Sequence, residues 1–237
     1  MNLTPVASGS GATVALLSTS AGNILVDCGL PLRTLQMKVD LTSIDLICLT
    51  HEHTDHSASI RQAARTFNIP VMMSPGTFDS IAWGFTPLIG VGRRISSELQ
   101  ISPIRVSHDA RDPRGFVFTG ADGDRAAYFV DLGETPADFG SILDGVRTLL
   151  IESNHDEDML MAGPHHPKVK ERCMGPLGHL SNNQVADFIA YEMPASVERL
   201  ILGHVSKISN DPHLAYATAK RAVERRGLNC SVEVACQ

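Results

Sequence analysis

Residues 50–56, Thr-His-Glu-His-Thr-Asp-His, form the densest group of chemically active side chains in the sequence. They directly follow the apolar run of residues 46–49. Alternate residues of a β-strand point to the same side, so His51 and His53 converge on one metal ion if the backbone stays extended past Thr50. The spacing therefore predicts a metal site.

Asp55 and His56 end the same motif and are expected to lie around a turn. One tetrahedral ion does not easily take four ligands from six residues and still keep a position open for water. We therefore expect Asp55 and His56 to bind a second ion. A single histidine is usually solvated or hydrogen-bonded, but H-x-H-x-D-H after a strand-like run is a specific metal-binding pattern.

Polar residues at the ends of other apolar runs are further candidates. The positions that follow such runs are Asp27, His51, Asp131, Glu152 and His204. Buried strands end where a rigid sheet passes into the loops that carry function. His108 also closes a β-like run, and its spacing alone leaves open whether it is a ligand. For Asp131 the alternative is a structural turn or cap residue.

The periodicity of the chain predicts a layered α/β protein. Strand-like runs cover residues 13–17, 23–27, 46–50, 71–74, 99–106, 116–119, 126–131, 148–152, 199–202 and 231–234. Helical spacing covers residues 57–67, 75–83, 181–191 and 212–226, with helix starts at Ser181 and at Asp211-Pro212.

The motif and the order of the other candidates resemble the metallo-β-lactamase superfamily over nearly the whole chain. The resemblance implies an α/β fold, an αββα sandwich with a dinuclear metal site at one edge of the sheets. Carried over residue by residue, it implies His51, His53 and His108 on one ion, Asp55, His56 and His204 on the other, and Asp131 between them. Residues 131–133 are Asp-Leu-Gly where the family more often has Asp-Thr-Gly, and the carboxylate is retained. Asp27 is expected to hydrogen-bond a ligand histidine.

Three later segments resemble the YycJ/WalJ-like branch of the superfamily, which is related to ribonuclease Z and PhnP-type phosphodiesterases. They are residues 149–156, 178–182 and 202–207. Members of this branch look like 5′-to-3′ DNA exonucleases. The resemblance implies that Glu152 and His179 flank the scissile phosphate. There His179 is expected to protonate the leaving oxygen, and Glu152 is expected to orient the His179 ring. The alternative is that His179 only neighbours the helix start at Ser181.

Composition indicates a globular chain that we expect to form one domain over residues 1–237, since 43% of the residues are hydrophobic and 19% are charged. No run approaches the roughly 20 apolar residues of a membrane helix, and no secretory signal is evident. Five scattered cysteines suit reduced thiols. These features predict a cytoplasmic protein without a membrane partner.

The net charge of −6 argues against sequence-independent wrapping of nucleic acid over a broad surface. It does not exclude a local basic surface. Two groups of cations flank the candidates in sequence and either contact phosphates or form solvated faces. They are Arg111 and Arg114, and Lys168, Lys170 and Arg172.

The sequence therefore predicts a dinuclear metal-dependent hydrolase, a phosphodiesterase that acts as an exonuclease on DNA 5′ ends through a metal-bridging hydroxide. The predicted catalytic residues are Asp55, Glu152 and His179. Two divalent ions are expected, zinc or manganese, and iron also suits such ligands. The rival predictions are a small-molecule or cyclic phosphate phosphodiesterase, a carboxyl-ester or thioester hydrolase, and a non-catalytic accessory protein.

Overall fold

A computed structural model describes residues 1–81, 88–89, 93–96 and 98–235, with the side chains of all but 88–89 and 93–96. The chain divides into two compact units. Unit 1 contains residues 1–105 and 110–123, and unit 2 contains residues 106–109 and 124–235. The helix predicted to end at residue 83 is described as far as Ile81, and its last two residues lie outside the described part of the chain.

Unit 1 contains the strands β1 to β9. They are β1 (Asn2–Ala7), β2 (Val14–Thr19), β3 (Gly22–Val26), β4 (Ile44–Cys48), β5 (Val71–Met73), β6 (Leu88–Ile89), β7 (Arg93–Ser96), β8 (Leu99–Arg105) and β9 (Arg114–Gly120). Strands β1 to β6 form a sheet in chain order, antiparallel from β1 to β3 and parallel from β3 to β6. Strands β7, β8 and β9 pair antiparallel.

The helices of unit 1 are α1 (Leu32–Lys38), α2 (Thr54–Ser57), α3 (Ile60–Phe67) and α4 (Pro75–Ile81). Helix α3 buries Ile60, Ala63 and Ala64, the i, i+3, i+4 stripe of an amphipathic helix, in a core that also contains Leu25 and Ile47. The one helix predicted over residues 57–67 is divided into α2 and α3.

Unit 2 is built on four parallel strands. They are β10 (Arg125–Phe129), β11 (Thr148–Glu152), β12 (Arg199–Gly203) and β13 (Ser231–Val234). In the register, Phe129 lies beside Ile151, and Ile151 beside Leu202. The carboxyl ends of parallel strands meet at one edge of a sheet, so the residues that follow β10, β11 and β12 emerge at the same edge.

The helices of unit 2 are α5 (Phe139–Ile142), α6 (Glu157–Ala162), α7 (Pro167–Met174), α8 (Asn182–Tyr191) and α9 (Pro212–Arg226). Both predicted helix starts are confirmed. Ser181 caps α8 in a reciprocal capping box with Gln184, and the Asp211 carboxylate accepts from the first amides of α9. Among the described helices, none is long and apolar enough to span a membrane.

Candidate functional site

The first cluster of candidate residues, His51, His53, Asp55 and His56, lies in unit 1 directly after β4. Strand β4 ends at Cys48, and the chain passes through a short irregular segment into α2, which carries Asp55 and His56. The turn expected there is this short helix. His51 and His56 are buried, whereas His53 and Asp55 are partly exposed. The motif therefore presents its side chains from a segment fixed at both ends.

Buried Asp27 organises the first cluster from the end of β3. Its carboxylate accepts from the amide and hydroxyl of Thr50, at 2.8 and 2.9 Å, and from His56 Nδ1 at 2.8 Å. Because His56 Nδ1 donates to Asp27, Nε2 carries the lone pair that a metal ion requires. The expectation that Asp27 hydrogen-bonds a candidate ligand histidine is confirmed.

The rings of the first cluster stand close together. The ring centroid of His51 lies 4.5 Å from that of His53 and 4.2 Å from that of His56. His56 Nε2 is 3.5 Å from an Asp55 carboxylate oxygen. Three imidazoles and one carboxylate in contact form a donor set that suits zinc, manganese or iron.

A glycine allows the backbone to approach this cluster. A Cβ added to Gly29 would lie 1.6 Å from the carbonyl oxygen of Asp55. The neighbouring amide of Cys28 donates to the carbonyl of His56 at 2.6 Å. The segment after β3 therefore holds α2 through its backbone, and any residue larger than glycine at position 29 would displace the motif.

The second cluster, His108, Asp131, Glu152, His179 and His204, lies in unit 2. Asp131 follows β10, Glu152 ends β11, and His204 follows β12. One ligand atom each from Asp131, Glu152, His179 and His204 lies within 4.8 Å of the others. The parallel strands therefore bring together residues that are up to 73 positions apart in the sequence.

The backbone at two of these positions is left-handed. The φ angle is +56° at Asp131 and +51° at His204, and it is +62° at Asp27 of the first cluster. Non-glycine residues rarely adopt this region, which costs on the order of 1 kcal/mol or more for each residue. Strain of this kind concentrates at functional sites, where it aims a side chain that a relaxed strand end would point elsewhere.

Glu152 is fully buried and receives hydrogen bonds on both carboxylate oxygens. Oε1 accepts from the amides of Leu132 and Leu180, and Oε2 accepts from His179 Nδ1 at 3.1 Å. Burial alone raises the pKa of the carboxyl, but the charge of His179 and the hydrogen bonds from His179 and His204 outweigh it and lower the pKa to about 2. Glu152 is therefore a carboxylate at neutral pH.

His179 lies between two carboxylates and is partly open to solvent, with 21% of its side chain exposed. Its Nδ1 is 3.2 Å from Asp131 Oδ1 and 3.1 Å from Glu152 Oε2. Burial lowers the pKa of His179, but Glu152 and Asp131 outweigh it and raise the pKa well above 6.5. The two carboxylates therefore favour the protonated form of His179, with Nδ1 held by them.

His108 joins the second cluster through the segment before His179. Its Nδ1 donates to the carbonyl of Gly178 at 3.1 Å, and its ring centroid is 5.3 Å from that of His179. The hydrogen bond leaves Nε2 as the ligand nitrogen. His108 is thus placed within the group of candidates, which its spacing in sequence did not decide.

Sequence reasoning missed the polar residues that support the ligands. Thr50 Oγ1 lies 3.0 Å from His51 Nδ1, and the side-chain Nδ2 of Asn154 donates to the carbonyl of His204 at 2.9 Å. Single Thr and Asn residues give no spacing signal, although both lie within segments that the sequence analysis singled out. His155 is buried, and its carbonyl accepts from the amide of Asn182.

A family model for the Beta-lactamase superfamily domain matches residues 22–205. The chain belongs to the β-lactamase superfamily. The predicted family is confirmed, and the matched superfamily domain contains every candidate residue of both clusters.

Two curated members of the superfamily match almost the whole chain. An exodeoxyribonuclease YycJ of Bacillus anthracis is 25% identical over 240 residues, which cover 96% of this chain and 90% of that protein. An exodeoxyribonuclease WalJ of Streptococcus pneumoniae is 27% identical over 243 residues, with the same coverage of 96% and 90%. The predicted YycJ/WalJ-like branch is thereby confirmed.

A solved superfamily structure shows the fold. The metallo-β-lactamase fold protein YhfI of Bacillus subtilis superposes with a TM-score of 0.75 at 16% identity, covering 99% of this chain and 96% of that one. The predicted metallo-β-lactamase type of α/β fold is confirmed. The superfamily, the fold and the buried His and Asp donors identify a metal-dependent hydrolase that uses divalent ions.

Proposed function

We propose that this hydrolase is a dinuclear phosphodiesterase that removes nucleotides from the 5′ end of DNA. Its match to two exodeoxyribonucleases over 96% of the chain supports a nuclease or phosphodiesterase. The observation that carries the proposal is the Glu152–His179 pair, an imidazole held by a carboxylate within the second cluster. Phosphodiester cleavage needs such an acid, because the leaving alkoxide requires a proton.

The proposed metal ligands are those that the family pattern implies. One ion is assigned to His51, His53 and His108, the other to Asp55, His56 and His204, with Asp131 between them. Divalent ions supply an activated water and stabilise negative charge on the phosphate. Zinc or manganese is the proposed metal, and iron suits the same donors.

His179 acts as the general acid. Its Nδ1 proton is held by Glu152 and Asp131, so the proton on Nε2 is the one that transfers to the leaving oxygen. Glu152 stays ionised and fixes the orientation of the ring throughout. Asp55 is proposed to be both a ligand of the second ion and a catalytic residue. A single domain over residues 1–237 and a cytoplasmic location stay predictions from the sequence.

The test is hydrolysis of 5′-phosphorylated DNA by the manganese- or zinc-loaded protein. A cyclic nucleotide, a chromogenic phosphodiester and a thioester are run in parallel. Shortening of DNA from the 5′ end that falls by at least about 100-fold in His179→Ala supports the proposal. The matched control is His213→Ala, since His213 lies at the exposed start of α9. Inert DNA with turnover of another substrate transfers the assignment to that substrate's class.

A further inference from the structure

Arg172 on helix α7 stands beside the second cluster and is not used by the mechanism above. Its side chain is 67% exposed, and one guanidinium nitrogen lies 3.3 Å from Asp109 Oδ2. The other oxygen of Asp109 lies 3.3 Å from His108 Nε2. Asp109 thus joins the guanidinium to a proposed metal ligand. A guanidinium has five N–H donors, so most of them can still bind an anion.

The backbone fixes Arg172 relative to His179. The amide of His179 donates to the carbonyl of Cys173 at 2.9 Å, so the end of α7 is bonded to the general acid. A Cβ on Gly178 would lie 2.2 Å from the Arg172 carbonyl oxygen, and only glycine permits this approach. The amide of Asp109 also donates to the carbonyl of Leu177. These contacts fix the backbone of Arg172 relative to the backbone of His179.

The surface next to Arg172 combines one more cation with exposed apolar side chains. Lys168 is exposed one helical turn earlier, at the i−4 position that shares a face with Arg172. Met174 and Leu177 are 43% and 50% exposed, although large apolar side chains are more often buried. A nucleotide presents the complementary features, an anionic phosphate for the cations and a flat apolar base for the apolar side chains.

We propose that Lys168, Arg172, Met174 and Leu177 bind the substrate strand next to the scissile bond. Arg172 binds a phosphate through two of its N–H groups, Lys168 attracts the next phosphate, and the base lies against Met174 and Leu177. The inference rests on the proposed function, because it takes the substrate to be a nucleic acid strand. It adds a specific requirement: small phosphodiesters without a second phosphate or a base gain little from this surface.

Two measurements test the role of Arg172. The first is binding of a fluorescent 5′-phosphorylated oligonucleotide by fluorescence anisotropy, in EDTA and over a series of salt concentrations. The second is KM and kcat of the metal-loaded enzyme for that oligonucleotide. The variants are Arg172→Ala and Arg172→Gln, so that one folded variant can be assayed if the other folds poorly. Arg147→Ala is the matched control, since Arg147 is 63% exposed and also lies beside one carboxylate, 4.0 Å from Glu198.

Loss of Arg172 is expected to weaken oligonucleotide binding about tenfold and to raise KM more than it lowers kcat. The slope of log affinity against log salt is expected to fall by about 0.7, the value for one phosphate contact on a single strand. Arg147→Ala is expected to match the wild type in oligonucleotide binding, in its salt slope and in KM and kcat.

The outcomes separate the two proposals. DNA cleavage that Arg172→Ala leaves within twofold of wild type, with an unchanged salt slope, overturns the inference and retains the nuclease. DNA that binds through Arg172 but is never cleaved overturns the nuclease and retains the binding surface. DNA that is neither bound nor cleaved overturns both.

Discussion

Glu152 raises the pKa of His179. The proposed role of His179 as the general acid therefore predicts a measurable change in the pH dependence of kcat. Glu152→Gln removes a carboxylate next to the ring, so the pKa of His179 is expected to fall. A general acid works only while it is protonated, and therefore the basic limb of the kcat profile should move to lower pH. The check is kcat against pH for a chromogenic phosphodiester. Glu157→Gln is the matched control, since Glu157 accepts from Ser181 and not from His179. A basic limb that does not move contradicts the assignment.

Asp27 hydrogen-bonds Thr50 and the candidate ligand His56, so its effect on metal affinity is testable. Asp27→Asn keeps the shape but loses the charge and one acceptor, so zinc affinity is expected to drop 10- to 100-fold, the usual effect of removing a carboxylate that orients a ligand histidine. Competition with a chromogenic chelator measures the affinity. Asp45→Asn is the control, because Asp45 accepts from the exposed amide of Asn23. Equal affinities in the two variants would mean that Asp27 is only structural.

The candidate ligands could be predicted from the sequence to different degrees. His51, His53, Asp55 and His56 are adjacent, so their spacing alone indicated a metal. His108, Asp131 and His204 depended on family resemblance, because only the pairing of distant strands brings them together. The sequence could not show the left-handed backbone at Asp131 and His204, since no local signal marks it in a non-glycine residue.

At the scale of elements, burial decided what could be predicted. Strands β10, β11 and β12 are buried on both faces after their first residue, and β4 after Asp45, so each gives an apolar run in the sequence. Helix α7 has no buried residue, so no apolar period indicated it. Helix α7 was missed for this reason, whereas the short helix α6 buries a single side chain, Leu160, which gives no period.

At the element scale, Gly178 is a position where a single added methyl group would collide with the backbone. In Gly178→Ala the added Cβ would meet the carbonyl oxygens of Arg172 and Cys173, at 2.2 and 2.1 Å, so the end of α7 must move. We expect a loss of about 1–3 kcal/mol in the free energy of unfolding, as for other overpacked sites. Urea denaturation measures it. Gly11→Ala is the control, with nothing within 4 Å of the added Cβ. Equal stability of the two variants would show that α7 adjusts freely.

For the molecule as a whole, the metals are expected to contribute to stability. The two clusters contain buried histidines and carboxylates whose lone pairs are best satisfied by cations, so ions bind the folded chain and not the unfolded one. A metal present at about 1,000 times its Kd adds about 4 kcal/mol to the free energy of unfolding. Chelation should then lower Tm by about 10 °C. Calorimetry with and without EDTA, with metal content determined, measures the shift.

Return of the metal gives the control for this experiment. Zinc or manganese added to the stripped protein should restore Tm, while the same addition to a His51→Ala, His204→Ala double variant should not. A stripped protein with unchanged Tm would show that the clusters are stable without cations.

The left-handed backbone at Asp131 and His204 also has a consequence for how this enzyme would decay. Glycine adopts that conformation without strain, so the free energy of unfolding of Asp131→Gly should exceed that of Asp131→Ala by about 1 kcal/mol in urea denaturation. Both variants should be inactive. A change to glycine at these positions therefore removes activity and at the same time relieves backbone strain. Once selection for turnover is relaxed, descendants of this chain should accumulate glycine at these two positions first. A glycine at either position would then mark a member of the superfamily that has lost its catalytic activity.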